Sequence, residues 1–256
     1  MHYKDLLYFM VLREIKVLYK QTILGFTWAI IRPLFSMFVF SVIFGNLANI
    51  PSNSIPYPIF SYAALVPWTY FSTSMIKSTN SLIGNMNILT KVYFPRIILP
   101  LAPIISNLLD FFIALSIVFL LMLYYSIIPS INILWLPLLI MFMLINAAGA
   151  GIWLSALAIQ YRDIRHAILF FVQLLLYAAP VVWPVSLLSE KYGPTVALWY
   201  GLYPMAGVIE GFRSALIGSQ PMPWSLIIMG FISSIFIFSS GIIYFQIKEK
   251  HFAEIV

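Results

Sequence analysis

Apolar stretches long enough to cross a membrane dominate this chain of 256 residues. An α-helix needs about 20 mainly apolar residues to span the hydrocarbon layer of a bilayer. The apolar fraction is 62% and only 9% of the residues are charged, so a soluble fold would expose large apolar patches to water. The sequence therefore predicts an all-α membrane protein with six transmembrane helices. The predicted spans are residues 23–45, 58–80, 97–125, 132–158, 167–185 and 224–246.

The distribution of positive charge predicts the orientation of these spans. With the N-terminus inside, only Lys191 and Arg213 of the fourteen Lys and Arg residues lie on the outer side. Loops that carry an excess of Lys and Arg stay in the cytoplasm. We therefore expect a multi-pass protein of the bacterial cytoplasmic (inner) membrane with both termini cytoplasmic. The net charge of +6 belongs to these short loops, so it indicates contact with membrane lipid and not with nucleic acid.

The first residues of the chain predict a helix outside the six spans. Residues 3–20 place Arg13, Lys16 and Lys20 on one stripe of a helix and Leu7, Val11, Ile15 and Leu18 on another. This pattern is typical of an amphipathic helix at the membrane interface, with its basic side toward anionic headgroups. An ordinary juxtamembrane anchor is the alternative interpretation. We expect one membrane domain, with an interface helix at 1–22, a bundle at 23–246 and a cytoplasmic tail at 247–256.

Residues 195–217 are apolar enough to be mistaken for a seventh span. They contain Gly201 and Pro204, and a seventh span would place Lys248 and Lys250 outside. Non-helical backbone at membrane depth is tolerated only where protein or a water-lined cavity satisfies it. We therefore predict a broken, re-entrant pair of short helices on the outer side, between spans five and six.

Several short motifs occur in a specific order along the whole chain. They are Tyr19–Trp28, Arg32–Leu34, Leu65–Phe71, Asn80–Asn85, Leu89–Arg96, Tyr161–Ile164, Tyr203–Pro204 and Glu210–Arg213. This ordered set resembles the permease subunit of bacterial polysaccharide ATP-binding-cassette exporters, which export O-antigen, capsule or teichoic acid. One difference is Tyr203-Pro204, where that family often has Asn-Pro before the outer helix.

The resemblance implies a channel-forming permease for ATP-driven export of a lipid-linked polysaccharide. It implies a homodimer with the channel between protomers, two separate ATPase subunits and a polyprenyl-diphosphate-linked glycan as substrate. None of the twelve glycines is followed by Lys, so the chain lacks a G-x-x-x-x-G-K-[ST] phosphate loop. We therefore expect ATP and Mg in the partner, no cofactor in this chain and no enzymatic activity of its own.

Other functions remain open at this point. A drug or small-lipid exporter of the same architecture, a secondary transporter or channel that works without ATP, and a membrane-bound transferase also lack a nucleotide loop. The enzyme reading has little support, because His2, His166 and His251 lack metal-ligand spacing and no paired carboxylates suit acid–base chemistry. We expect no metal site.

Aromatic residues and one arginine are the candidates for substrate contact. Sugar faces stack on aromatic rings, although aromatic belts at both interfaces are normal in membrane proteins. Arg32 lies inside the first span, where an ionisable group needs a cavity, a partner or headgroups. It could grip a diphosphate through paired hydrogen bonds, with help from Lys20, or extend to lipid phosphate. The candidate channel residues are Trp28, Arg32, Tyr62, Trp68, Tyr70, Phe71 and Tyr177, together with Trp183 and Trp199.

The 85–95 loop, between the second and third spans, is the candidate contact with the ATPase. Exposed apolar side chains on a short cytoplasmic loop favour docking into a groove of a partner, and a loop lying on the membrane surface is the alternative. The candidate docking residues are Ile88, Leu89, Lys91, Val92, Phe94 and Pro95.

Three further groups of residues have predicted roles within the bundle. Ser106, Asn107 and Asp110 form a polar cluster in span three, interpreted as hydrogen bonding between helices or as a functional site. Glu210 and Arg213 can pair on one helical face and, with Tyr203 and Pro204, form a candidate outer gate. The alternative is that the two charges only neutralise each other near the interface. The stripe of Ala147, Gly151 and Ser155 predicts close helix packing.

Overall fold

The computed structural model describes residues 3–20, 27–53, 55–89, 91–218, 220–250 and 252. In these residues all regular secondary structure is helical. The helices are α1 (Tyr3–Lys20), α2 (Trp28–Phe40), α3 (Tyr57–Gly84), α4 (Met86–Leu89), α5 (Ile98–Ser106), α6 (Leu108–Tyr124), α7 (Leu136–Gln160), α8 (Ile164–Ala178), α9 (Ser186–Tyr192), α10 (Pro194–Tyr200), α11 (Pro204–Ile217) and α12 (Trp224–Glu249). A π-helix, Ser41–Leu47, continues α2, and a 3₁₀ turn, Ile131–Trp135, precedes α7.

Four helical segments of the described chain are long and apolar enough to cross a membrane. They are Trp28–Leu47, Ile98–Tyr124, Ile131–Gln160 and Trp224–Glu249. Helix α3 has 28 residues but carries many hydroxyl side chains, and α8 has only 15 residues. The predicted class, an all-α protein with apolar spans, is thus confirmed, whereas the count of six spans stays a prediction.

Helix α3 lies at the centre of the packing. Twenty of its 28 residues are buried, and it contacts α2, α5, α6, α7, α8 and α11. A helix that other helices cover needs no continuous apolar surface, because hydroxyl groups can bond to backbone carbonyls inside the bundle. Ser78, for example, donates to the carbonyl of Pro100 at 2.8 Å.

The predicted small-residue stripe brings α7 against its neighbours. A Cβ atom added to Gly151 would lie 2.6 Å from Ser78 Oγ on α3. One added to Gly149 would lie 2.9 Å from the backbone of Phe238 on α12. Ala147 and Ser155 are fully buried. The prediction of close helix packing at this stripe is confirmed.

Two predicted spans are interrupted. The third breaks at Asn107, between α5 and α6, where Pro103 lies inside the end of α5. The fifth was expected to extend to residue 185, which is wrong: α8 ends at Ala178 and residues 179–185 are irregular and largely buried. Residues 194–217 form two helices, α10 and α11, which Gly201–Tyr203 separate, and the re-entrant position of this pair on the outer side stays a prediction.

Helix α1 packs against the bundle and does not stand apart from it. It contacts α5, Met10 is buried, and Leu7 and Val11 pack against the core. Part of the predicted apolar stripe therefore faces protein. The side chains of residues 18–20, and residues 21–26 altogether, lie outside the described residues.

Candidate functional site

A cavity of about 250 Å³ lies between α2, α3 and the break between α5 and α6. Its wall combines aromatic rings with charged and amide side chains, which is the composition expected of a ligand site. Two cations and one carboxylate face the same space. The polar and aromatic lining residues are Trp28, Arg32, Thr69, Tyr70, Thr73, Lys77, Asn107, Asp110 and Phe111.

A short polar network forms the deep side of this cavity. Lys77 Nζ donates to Asn107 Oδ1 at 2.7 Å, and Asn107 Nδ2 donates to Ser74 Oγ at 3.1 Å. Asp110 is half-buried and close enough to Lys77 to interact with it electrostatically. The amide of Asn107 therefore holds the lysine tip in a fixed position between three helices.

The predicted polar cluster needs one addition and one removal. Lys77, which was not among the residues predicted for the cluster, is a member of it. Ser106 is buried, but its hydroxyl donates to the carbonyl of Pro103 in its own helix. The helix break at Asn107 brings Asn107 and Asp110 to the wall of the cavity.

Only part of the predicted channel set lines the cavity. Trp28, Arg32 and Tyr70 do so, and the Arg32 guanidinium carbon lies 5.4 Å from the centroid of the Trp28 ring. The hydroxyl of Tyr70 donates to the carbonyl of Ile104 at 2.8 Å, and its ring packs edge-on against Phe111.

The other aromatic candidates lie elsewhere. Tyr62, Trp68 and Phe71 are buried in the core of the protomer, so the expectation that their rings are open to a passage is wrong in this chain by itself. The ring of Trp68 packs against that of Phe71 on the same helix, and the hydroxyl of Tyr62 donates to the carbonyl of Ala114 on α6 at 3.3 Å. Tyr177 and Trp199 are exposed, at 61% and 62%, and neither lines this cavity.

A buried ion pair on α11 forms a second candidate site. Arg213 Nη1 lies 3.1 Å from Glu210 Oε1, and the two side chains are only 4% and 8% exposed. Glu210 Oε1 also accepts from the backbone N–H of Val185 at 2.9 Å. Arg213 donates to the carbonyl of Val181 at 2.6 Å and lies 3.7 Å above the ring of Phe60. The pair thus joins α11 and α3 to the irregular 179–185 segment.

Tyrosine hydroxyls bond to further backbone carbonyls near this pair, in the irregular segment and in the last turn of α8. The hydroxyl of Tyr57 donates to the carbonyl of Val182 at 2.6 Å, and that of Tyr203 to the carbonyl of Leu175 at 3.3 Å. Burial raises the pKa of Tyr203, so its hydroxyl keeps the proton that it donates. Pro204 begins α11. The predicted gate residues are thus near one another, around residues 175–185.

The 85–95 loop exposes fewer apolar side chains than the sequence suggested. Leu89 and Phe94 are buried, at 8% and 5% exposure, and pack against the core of this chain. The expectation that both are exposed for docking is therefore wrong. Val92 and Tyr93 are open, at 59% and 95%, beside the exposed Lys91. Ile88 and Pro95 are half-buried.

Two polar ties hold this loop at its ends. Arg13 Nη2, on α1, donates to Asn85 Oδ1 at 2.8 Å. The backbone N–H of Arg96 donates to Glu249 Oε1 at 3.0 Å, and its guanidinium donates to the carbonyl of Glu249. Asn85 and Glu249 had no predicted role, because no pattern in the sequence links residues so far apart.

A family model of the ABC-2 type transporter matches residues 5–217 of the chain. The chain belongs to the ABC-2 type transporter family. It is 27% identical over 255 residues to an O-antigen export system permease protein of Myxococcus xanthus, covering 98% of this chain and 95% of that protein. It is equally similar to an O-antigen export system permease protein of Klebsiella pneumoniae. Identity to the polysialic acid transport protein KpsM of Escherichia coli is 25% over 214 residues, or 80% and 79% of the two chains.

The three features described above all fall within the part of the chain that matches the ABC-2 transporter family. The cavity around Lys77, the 85–95 loop and the Glu210–Arg213 pair lie between residues 5 and 217. Helix α12 follows the matched region, and its Glu249 contributes the tie to Arg96.

Proposed function

We propose that this chain is the channel-forming permease for ATP-driven export of a polysaccharide across the cytoplasmic membrane. The observation that carries the proposal is the similarity, over almost the whole length, to permeases of O-antigen export. The similarity to a polysialic acid transport protein supports the same substrate class. Since a phosphate loop is absent from the sequence, ATP and Mg belong to two separate ATPase subunits in this proposal.

The proposed architecture is a six-span homodimer with both termini cytoplasmic and the channel between protomers. In this topology α3 and α8 are the remaining two spans. Helices α2 and α8 both present apolar rings on their outer faces, among them Phe35, Phe38, Phe170 and Phe171. These faces suit contact with lipid or with a second protomer, because neither lipid tails nor an apolar protein surface requires polar groups there.

The 85–95 loop docks on the ATPase in this proposal. Its open face consists of Lys91, Val92 and Tyr93, and a large exposed ring beside an apolar side chain is typical of an interface anchor. Leu89 and Phe94 have a different role, because they pack against the core of this chain and fix the loop to the bundle.

The Glu210–Arg213 pair supports a role in closing the outer side. It fixes irregular backbone at residues 179–185 to α3 and α11 through several hydrogen bonds. An outer helix pair held in this way is a rigid unit, which suits a gate that opens by moving as one body. Tyr203 and Pro204, at the start of α11, belong to this gate.

The substrate in this proposal is a glycan linked to a polyprenyl diphosphate. Arg32 lies at the mouth of the cavity, near the start of α2, and would contact the diphosphate as the lipid enters from the membrane. A planar guanidinium binds phosphate oxygens through paired hydrogen bonds, and Trp28 is placed beside it to stack on an adjoining sugar or ring face.

Transport into inverted vesicles tests this proposal. The chain is co-purified with its cognate ATPase and reconstituted, and uptake of a radiolabelled lipid-linked glycan is measured with ATP. We expect uptake that requires ATP and disappears with an ATPase variant that binds ATP without hydrolysing it. Uptake of a hydrophobic drug with no uptake of any glycan would assign the chain to drug export. Glycan uptake without the ATPase would show an ATP-independent carrier.

A further inference from the structure

We propose that the cavity between α2, α3 and α6 binds the diphosphate of the carrier lipid through two cations, Arg32 and Lys77, with Asp110 as the counter-ion that the ligand displaces. This inference rests on the proposed function and deepens it, because it adds a binding residue that the sequence analysis did not identify. It also assigns different tasks to the charges of the cavity.

The first argument is the sign of the charge. Arg32 and Lys77 bring two positive charges to the cavity wall and Asp110 one negative charge, so the wall carries a surplus of one positive charge. Glu14 is also near Lys77, but it pairs with Arg13 at 3.1 Å and does not line the cavity. A charge surplus in a partly apolar cavity attracts an anion more strongly than the same charges would in water.

The second argument is the position of Lys77. It is seven residues from the end of α3, or about 10 Å along the helix axis, and its tip is held by Asn107. An ammonium group fixed there by an amide on another helix is not extended toward lipid headgroups. One hydrogen bond to Asn107 leaves two of its three donors for a ligand.

The third argument is the state of Arg32. Among the described residues, no hydrogen bond or ion pair to Arg32 is present; its guanidinium lies near the ring of Trp28 and close enough to Lys77 for the two cations to interact electrostatically. Arg32 is exposed at the mouth of the cavity, while Lys77 lies deeper. A diphosphate has two charged groups in series, so it can meet the guanidinium first and the ammonium second.

Asp110 completes the arrangement. It interacts with Lys77 in the structure and lines the same cavity, so it offsets one cation while the ligand is absent. A dianionic ligand that enters must compete with this carboxylate. Removing its charge is therefore expected to strengthen binding of the anion, which is the reverse of what loss of an ordinary binding residue would do.

Fluorescence of Trp28 reports binding directly and without transport. The chain is placed in nanodiscs of zwitterionic lipid and titrated with polyprenyl diphosphate, and the signal of a Trp28→Phe variant is subtracted. We expect Lys77→Gln and Arg32→Gln each to weaken binding by roughly ten- to a hundredfold, as loss of a charged hydrogen-bond donor does. Asp110→Asn should tighten it. Lys191→Gln removes an exposed cation outside the cavity and serves as the matched control, with no change.

Two further arms identify the source of the phosphate. Soluble pyrophosphate should compete with the lipid, whereas phosphatidylglycerol, which carries a single phosphodiester charge, should bind much more weakly. Equal binding of phosphatidylglycerol would overturn the proposal in favour of a general anionic-lipid site. Unchanged affinity in Lys77→Gln, or weaker binding in Asp110→Asn, would overturn it as well.

Loss of folding is separated from loss of binding by Lys77→Arg and by Asp110→Asn. The arginine variant keeps the charge and should keep most of the affinity. If Lys77→Gln does not fold, the sign of the Asp110→Asn effect and the competition by pyrophosphate decide the question. Glycan uptake by the wild-type protein without diphosphate binding would reject this site alone, whereas binding without any glycan uptake would reject the proposed function.

Discussion

Replacing Arg213 by Met is expected to destabilise the protein more than replacing any exposed arginine. Methionine fills a similar volume but removes the partner of Glu210 and the donor to the carbonyl of Val181. Both side chains of the pair are almost fully buried. The carboxylate that remains would be a buried charge without its counter-ion, which is among the most costly states in a protein interior.

The size of this effect follows from the burial of the pair. Breaking a buried ion pair by removing one partner costs about 3–5 kcal/mol. Since about 1.4 kcal/mol changes an equilibrium constant tenfold, the ratio of folded to unfolded protein should fall by roughly two to nearly four orders of magnitude. Replacing both Glu210 and Arg213 by Met leaves no unpaired charge, so the double variant should lose less stability than the sum of the two single variants.

Reversible unfolding in detergent, followed by tryptophan fluorescence, measures these differences. Arg165→Met is the matched control, because Arg165 is exposed and donates a single described hydrogen bond, to Asn80 Oδ1 at 3.2 Å. Its loss should cost under about 1 kcal/mol. Equal losses for Arg213→Met and Arg165→Met, or single losses that add fully in the double variant, would refute the argument from the buried pair.

Three other predictions concern topology, coupling and packing. The chain has no cysteine, so single cysteines can be introduced as labels. A cysteine at Ile128, which is 86% exposed, should react with an impermeant reagent from outside, and one at Tyr93 only from inside. Reaction of both from one side would contradict the six-span topology. Tyr93→Asp should reduce permease-stimulated ATP turnover and leave the unfolding midpoint unchanged. Phe94→Asp should lower that midpoint. Equal behaviour of the two variants in both assays would contradict their assigned roles. Gly151→Ala should cost about 1–3 kcal/mol of stability, because its new Cβ would lie 2.6 Å from Ser78 Oγ. Gly84→Ala is the control, because a Cβ at Gly84 would meet no neighbouring group within 4 Å. This control should lose no stability in the same unfolding assay.

Much of the helical framework could be predicted from the sequence, because it depends on local composition. Apolar length predicted most helices to within a few residues, and Gly201 with Pro204 predicted the break in the outer pair. The spacing of Gly151 and its neighbours predicted a close helix contact, since only small side chains permit it.

The composition of the candidate sites could be predicted only in part, because it depends on contacts between distant segments. Lys77 was not predicted to belong to a site, because its bond to Asn107 forms only where α3 lies beside the break at the start of α6. Apolar loop residues likewise look alike in sequence. The direction of the backbone decides that Phe94 faces the bundle and that Tyr93 is exposed, and the sequence pattern does not show this direction.

The ties at the two ends of the 85–95 loop have a mechanical consequence. Arg13 links one end to α1, and Arg96 links the other to the last turn of α12, which packs along α7. On the proposed docking, a push from the ATPase does not bend the loop by itself. Because the loop is bonded at both ends, it would displace the neighbouring ends of α1, α3 and α12 together. The force of the ATPase would therefore reach several helices at once. Without the bond between Arg96 and Glu249, ATP would be hydrolysed while part of the bundle does not move.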